Sequence, residues 1–421
     1  MSHRSRVAVE TAEPLELSAD QKREISYNRI HPAKMNLTER YANRIAASYA
    51  RIEDVYRHRD DGVVPFQVAD VNYWISGETP ALIPDDYFTN CDAMLRYQLA
   101  KIERHMATYD DDYIPFLFPW YGTGVIPSAL GAKVLFQPKM DPAVEGAVVS
   151  APQDVRKLTL PDPERDGLMP RVLETVRYFR EHSNLPISFS DPQGPFTTAL
   201  TLAGPERLFV WLHEEPLAAH ELMDFCTEAF IRWIKAQKQA IGEERGRCCF
   251  PHGIILPEQF GKVWLCDDDC GAISPAQYHE FVVPYNARVF REFGGGTLHF
   301  CGSAEHQIEN LAATDSLVGV NNFCMSNFRQ IYRMQEVFSG RIALKVCDFS
   351  PSDITPYYDK LFHGLRRRGT IVGSFVSPEM ALRNGKYELL SRRGEDIGRQ
   401  AYAALQSHCR ARNGDLLERP R

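Results

Sequence analysis

His299 and Cys301 stand two residues apart in Leu298-His299-Phe300-Cys301-Gly302, just after the run Gly294-Gly295-Gly296. In an extended chain residues i and i+2 share a face, so an imidazole and a thiol are presented side by side. Soft sulfur with borderline nitrogen is a good donor pair for zinc. On spacing alone, a packed cysteine beside a hydrogen-bonded histidine is the commoner meaning of such a pair. A second group is Asp267-Asp268-Asp269, at the end of the apolar run 263–266. Adjacent carboxylates repel unless they are solvated, metal-bound or partly protonated. Asp268 and Asp269 are therefore the candidate general acid and base, with an exposed acidic turn as the plainer reading. Cys266 and Cys270 are spaced too widely for a redox CxxC pair and read as structural. A third group is Gln193-Gly194-Pro195-Phe196-Thr197-Thr198-Ala199. It reads as a strand-to-helix turn. Gly194 admits close backbone approach, Pro195 suits a first helical position and Thr197 can cap early amides.

These groups need elements that bring them together. Short apolar runs at 63–70, 113–121, 186–194, 263–269, 297–302, 317–324, 341–349 and 370–376 alternate with amphipathic stretches. That alternation predicts a parallel sheet wrapped by helices, and about eight strands are the number that closes a (β/α)8 barrel. Most of the runs end in polar or reactive residues, and strand ends at the C-terminal face of a barrel converge on one pocket. Tyr121, Asp191, Gln193 and Gly194 are the expected substrate contacts there. Residues 36–60 open with Asn36-x-x-Glu39 and carry helical periodicity, which predicts an N-terminal helical extension. The polar stretch 1–35 is expected to be a flexible arm that could pack on a second copy in a homodimer. The barrel is expected over 36–410 as one domain, followed by a polar tail at 411–421. The stretch 246–262 reads as an insertion near the mouth.

Bulk properties narrow the function classes. The chain has 421 residues, 44% hydrophobic and 24% charged, with a net charge of −7. This balance offers no basic stripe for nucleic acid, and Arg366-Arg367-Arg368 reads as a solvated helix end. No apolar run reaches the length of a membrane span. The N-terminal residues lack the apolar core of a secretory signal, and ten cysteines without a regular framework suit a reducing cytoplasm. A small-molecule enzyme is the class that remains.

Together, the segments 119–136, 193–204 and 266–295, with LHFCGS and LKVCDFSP, resemble the uroporphyrinogen-decarboxylase-like superfamily. The resemblance covers roughly residues 110–395 and includes the G-P-F-T turn and a D…S-P-x-x-Y-x-x-F…P-Y stretch. It implies a TIM barrel and one of two activities. True uroporphyrinogen decarboxylases carry an arginine-rich segment after the first strand, where this chain reads FQVADVNYW (66–74), so porphyrinogen decarboxylation is not expected. The other branch holds zinc-dependent methyltransferases that take a methyl group from a corrinoid protein to a thiol, and His299, Cys301 and Gly302 look like its H-x-C-G motif. That branch has a further cysteine near the last strand, where this chain reads Val372-Gly373-Ser374-Phe375-Val376. The resemblance then leaves Cys347, or else Cys324, as third metal ligand. It implies zinc, a corrinoid supplied only by a separate protein, and methyl transfer. The alternative is a lyase or decarboxylase for a small carboxylated or aromatic substrate in the same mouth.

Overall fold

The computed structural model describes residues 36–59, 62–70, 84–136, 141–190, 192–242, 248–249, 255–349, 353–376, 380–383, 386–389 and 394–410. The expected arm (1–35) and tail (411–421), the stretch 71–83 and Asp191 lie outside the described residues.

Six strands form one parallel sheet. They are β1 (Phe66–Asp70), β2 (Val263–Cys266), β3 (Gly296–Cys301), β4 (Leu317–Phe323), β5 (Ala343–Phe349) and β6 (Thr370–Val376). Their spatial order is β1-β6-β5-β4-β3-β2. Two further extended segments complete the ring between β1 and β2. Asp112 N donates to Phe66 O at 2.8 Å, Leu117 bridges Ile187, and Gln193 bridges Cys266. The eight staves of the (β/α)8 barrel are thus the eight apolar runs of the sequence. The two bridging segments pair sparsely because Pro115, Pro119, Pro186 and Pro192 have no amide hydrogen to give to a ladder. Side chains take over part of that work. The Asp112 carboxylate accepts from Phe66 N at 2.9 Å and the Asp111 carboxylate from Val68 N at 2.8 Å.

Helices cover the outside. The extension is present, but it breaks at Tyr41 into Leu37–Arg40 and Ala42–Tyr56, with the Asn36 side chain capping Glu39 N. The turn after Gly194 leads into the helix Pro195–Ala203 with Pro195 in its first turn. Thr197 does not cap it, because the helix has no side-chain N-cap bond. The described end of the 246–262 insertion sits away from the mouth. Gly261 lies against Gly295 at the start of β3, and Phe260 meets Tyr56 with ring centroids 5.5 Å apart. A segment that precedes a parallel strand must return to the strand's N-terminal end, which accounts for this placement.

The core is one continuous cluster that includes Trp233 and Trp264, both fully buried. A satellite of Phe323, Cys347 and Phe375 lies at the strand ends, with Cys301 packed on it. Among the described residues no helix is long and apolar enough to cross a membrane.

Candidate functional site

Register across the sheet builds the site. His299 pairs with Cys266 on one side and Asn321 on the other, and Asn321 pairs with Lys345. Directly paired residues of a parallel sheet point the same way, so these four stand in one row. His299, Asn321 and Lys345 are buried, and Lys345 Nζ donates to the buried Gln67 Oε1 at 2.6 Å.

The hydrogen bonds fix the tautomer of His299. Asn321 Nδ2 donates to Lys345 O at 3.2 Å and to Cys347 Sγ at 3.3 Å. Its Oδ1 is therefore the atom that faces His299 Nδ1, at 2.7 Å. A carbonyl oxygen only accepts, so Nδ1 carries the hydrogen and Nε2 keeps its lone pair. Nε2 faces Cys301 Sγ at 3.3 Å and Asp268 Oδ1 at 3.5 Å. The same Asp268 oxygen accepts from Cys301 N at 2.8 Å, which holds the acidic loop over the end of β3. Single ligand atoms of Cys266, Asp268 and His299 lie within 4.8 Å of one another.

This donor set fits a zinc-like cation. A histidine lone pair, oriented by a second partner on the other ring nitrogen, converges with a thiol and a carboxylate. Burial pushes the His299 imidazole below the usual histidine range, with Lys345 adding to that and Asp268 and Asn321 opposing it. Burial and the Asp268 carboxylate push the Cys301 thiol up. A neutral imidazole is already in its ligating form, and a coordinated thiol is deprotonated by the cation itself.

The three aspartates divide the work among themselves. Asp267 turns into the protein, where its Oδ2 accepts from Tyr278 OH at 2.5 Å and Asn286 Nδ2 at 3.1 Å. Burial raises it to about 7, against those two hydrogen bonds and with help from its acidic neighbours. The S-P-x-x-Y stretch thus acts as a clamp. Ser274 caps the helix Pro275–Phe281, and that helix brings Tyr278 onto Asp267. Asp268 is exposed and faces His299 and Cys301. Asp269 is half-buried, and burial raises its carboxyl.

The other expected residues fall differently. Gln193 and Gly194 lie beside Cys266, with Gly194 N donating to Cys266 O at 2.7 Å. A Cβ on Gly194 would stand 2.9 Å from that oxygen. Gly194→Ala is expected to destabilise the fold by about 1–3 kcal/mol through overpacking, readable as a lowered denaturation midpoint. Tyr121 is buried, and its hydroxyl pairs with Thr175 on the helix Met169–His182 at 2.8 Å, so the structure does not bring it to the His299 group. Cys347 is one step removed from His299, behind Asn321. Cys324 belongs to another cluster, with Asp348 Oδ2 at 3.4 Å. Sequence reasoning missed Asn321, Lys345 and Gln67 and took Cys266 as structural. Each is defined only by its pairing partner on another strand.

The uroporphyrinogen decarboxylase (URO-D) family profile matches residues 86–243. A uroporphyrinogen decarboxylase of Geobacillus kaustophilus is 30% identical over 191 residues, 43% of this chain and 49% of that protein. A methylated-thiol–coenzyme M methyltransferase of Methanosarcina mazei is 29% identical over 202 residues, 47% of this chain and 50% of that protein. The chain spans about half the length of the curated relatives it matches. Among solved structures, a methyltransferase from Methanosarcina mazei superposes with a TM-score of 0.59 at 17% identity, covering 86% of this chain and 99% of that one. The chain is a (β/α) barrel that is similar, over about half of its length, to proteins of the uroporphyrinogen-decarboxylase-like superfamily, among them decarboxylases and a methyltransferase.

Proposed function

We propose that this chain is a cytoplasmic, metal-dependent methyltransferase that moves a methyl group onto a thiol or related nucleophile, with zinc held by His299, Asp268 and Cys301 and with the Cys266 thiol in reach of the same ion. The observation that carries this reading is the lone pair of His299 Nε2, fixed by Asn321 and facing both Cys301 Sγ and Asp268 Oδ1. Asp268 takes the place that the superfamily resemblance gives to a last-strand cysteine, and Cys347 stays behind Asn321 as a neighbour. When bound, the metal supplies Lewis acidity that keeps a substrate thiol as thiolate near neutral pH.

The protein's own groups do the rest. Asn321 holds the imidazole in one orientation, and Tyr278 with Asn286 anchors the loop that carries Asp268. Asp269 stands beside the same loop to accept the proton the thiol releases. Gln193 and Gly194 form the wall next to Cys266 against which the substrate rests. The methyl donor is a corrinoid on a separate protein, since the chain has no D-x-H-x-x-G motif to hold one. The test is methyl transfer from free methylcobalamin to 2-mercaptoethanol by zinc-loaded protein. Wild type is expected to turn over and His299→Ala is not. Equal rates for the two overturn the reading.

A decarboxylase is the second reading. It is favoured by the URO-D match and by the pair Asp268 and Asp269 as acid and base, with burial raising the Asp269 carboxyl. Uroporphyrinogen itself is not expected to be consumed, because 66–74 carries no arginine to clamp its carboxylates. Coproporphyrinogen formed by purified protein would contradict that expectation.

A further inference from the structure

A cavity of about 150 Å³ opens at the N-terminal end of the barrel, opposite the strand ends that hold His299. It lies between the start of β5 and β6 and the end of the helix Ala42–Tyr56. Its lining includes His58, Gln335, Gly340, Arg366, Arg368 and Thr370, and no acidic side chain is part of it. Arg366 and Arg368 are exposed just past the helix Ile354–Gly364, as a solvated helix end would be, and they also line this cavity.

The walls are built. Gln335 grips the Arg366 backbone from both sides, accepting from its N at 2.9 Å and donating to its O at 2.7 Å. Thr370 Oγ1 donates to the same carbonyl at 2.8 Å. Arg368 Nε donates to the carbonyl of His58. His58 holds a left-handed backbone with φ of 50°, a conformation that costs a non-glycine residue about 1 kcal/mol or more. Its ring leans on Gly369, where a Cβ would stand 2.6 Å from Nδ1. His58 is only 8% exposed, yet its Nε2 has no hydrogen-bond partner among the described residues. An orphaned buried nitrogen costs about 1–3 kcal/mol, so its persistence in a rigid, arginine-lined cavity points to a ligand.

We infer that this cavity binds a phosphate group, with the arginines neutralising its charge and His58 Nε2 accepting from its P–OH. The ring's hydrogen bond to the Arg341 backbone favours its protonated form, which makes it a donation from the ring to the carbonyl. The other nitrogen, Nε2, is then the free acceptor of a neutral ring. Burial and Arg368 lower the His58 imidazole and keep it neutral near pH 7. Hydrogenphosphate offers both features the cavity asks for, charged oxygens for guanidinium groups and one O–H for the imidazole. Sulfate offers only the first. At about 30 Å³ per water, the volume equals a handful of waters, which suits a phosphate group.

The experiment is calorimetric titration of the full chain with inorganic phosphate at pH 7.5, beside sulfate and glycerol 3-phosphate. Wild type is expected to bind phosphate saturably, with sulfate weaker by about tenfold, the loss of one hydrogen bond. His58→Asn tolerates the left-handed backbone and Arg368→Met keeps the stem, and each is expected to weaken phosphate by about tenfold or more. His299→Ala, at the other end of the barrel, should bind phosphate as wild type does. Glycerol 3-phosphate at pH 7.5 is mostly a dianion without a P–OH, so it is expected to compete weakly, as sulfate does; competition as strong as that of inorganic phosphate overturns the role given to His58. No saturable phosphate binding up to about 10 mM, equal affinity for sulfate, or unchanged binding in His58→Asn and Arg368→Met overturns it.

Discussion

His299→Ala is expected to lower thiol methylation by about three orders of magnitude, roughly the 4 kcal/mol of Lewis-acid stabilisation that leaves with the metal. The fold should survive, because the lost side chain opens a polar space next to Asn321 rather than a gap in the main apolar cluster. Neighbouring substitutions should grade the effect. Asn321→Ala removes the partner that fixes the tautomer and should weaken metal affinity by about 10- to 100-fold without abolishing it. Cys347→Ser keeps a hydrogen-bonding partner for Asn321 Nδ2 and is nearly the same size beside Cys301, so it should leave activity close to wild type. If Cys347→Ser is as damaging as His299→Ala, the third ligand is Cys347 and not Asp268. Steady-state rates with each variant, at saturating and at limiting zinc, separate these outcomes.

Asp267→Asn should remove most of the pH dependence of stability between about pH 4 and 7. The carboxyl is raised from 3.8 to about 7 in the folded protein, chiefly by burial. Below about pH 4 it is protonated in both states, and its contribution to stability is fully present. As pH rises, the unfolded chain ionises first, so stability falls until the folded carboxyl also titrates near 7 and then levels off. A shift of this size is worth a few kcal/mol, at roughly 1.4 kcal/mol per pH unit. Asp269, also raised by burial, adds a slope of the same sign. Lys345 titrates above this window, at about 8. The midpoint of thermal unfolding should fall by several degrees from pH 4.5 to 7.5 in wild type relative to Asp267→Asn. Parallel profiles for the two proteins would show that Asp267 ionises in the fold without cost.

The barrel was legible because strand and helix periods are local properties. All eight apolar runs became staves, including the proline-interrupted 113–121 and 186–194, whose pairing is sparse. The His299–Cys301 face was legible for the same reason, since alternation needs only two residues of one strand. Asn321 was not, because its meaning comes from standing opposite His299 across a ladder whose register no local pattern encodes. The three aspartates show the limit at finer scale. Their order in sequence cannot say that Asp267 turns inward to Tyr278 while Asp268 turns to the mouth. The position of Tyr121 was not legible either, because its hydroxyl is spent on Thr175 of a packed helix that no local pattern links to it.

Metal content per chain after dialysis against a mild chelator tests the central claim most directly. For wild type the account predicts about one zinc per chain, the content of a single site with three protein ligands. It predicts near-complete loss in His299→Ala and Cys301→Ser, and partial loss in Asp268→Asn. Wild-type protein that transfers methyl groups while free of metal, or His299→Ala that retains its full complement, would contradict it.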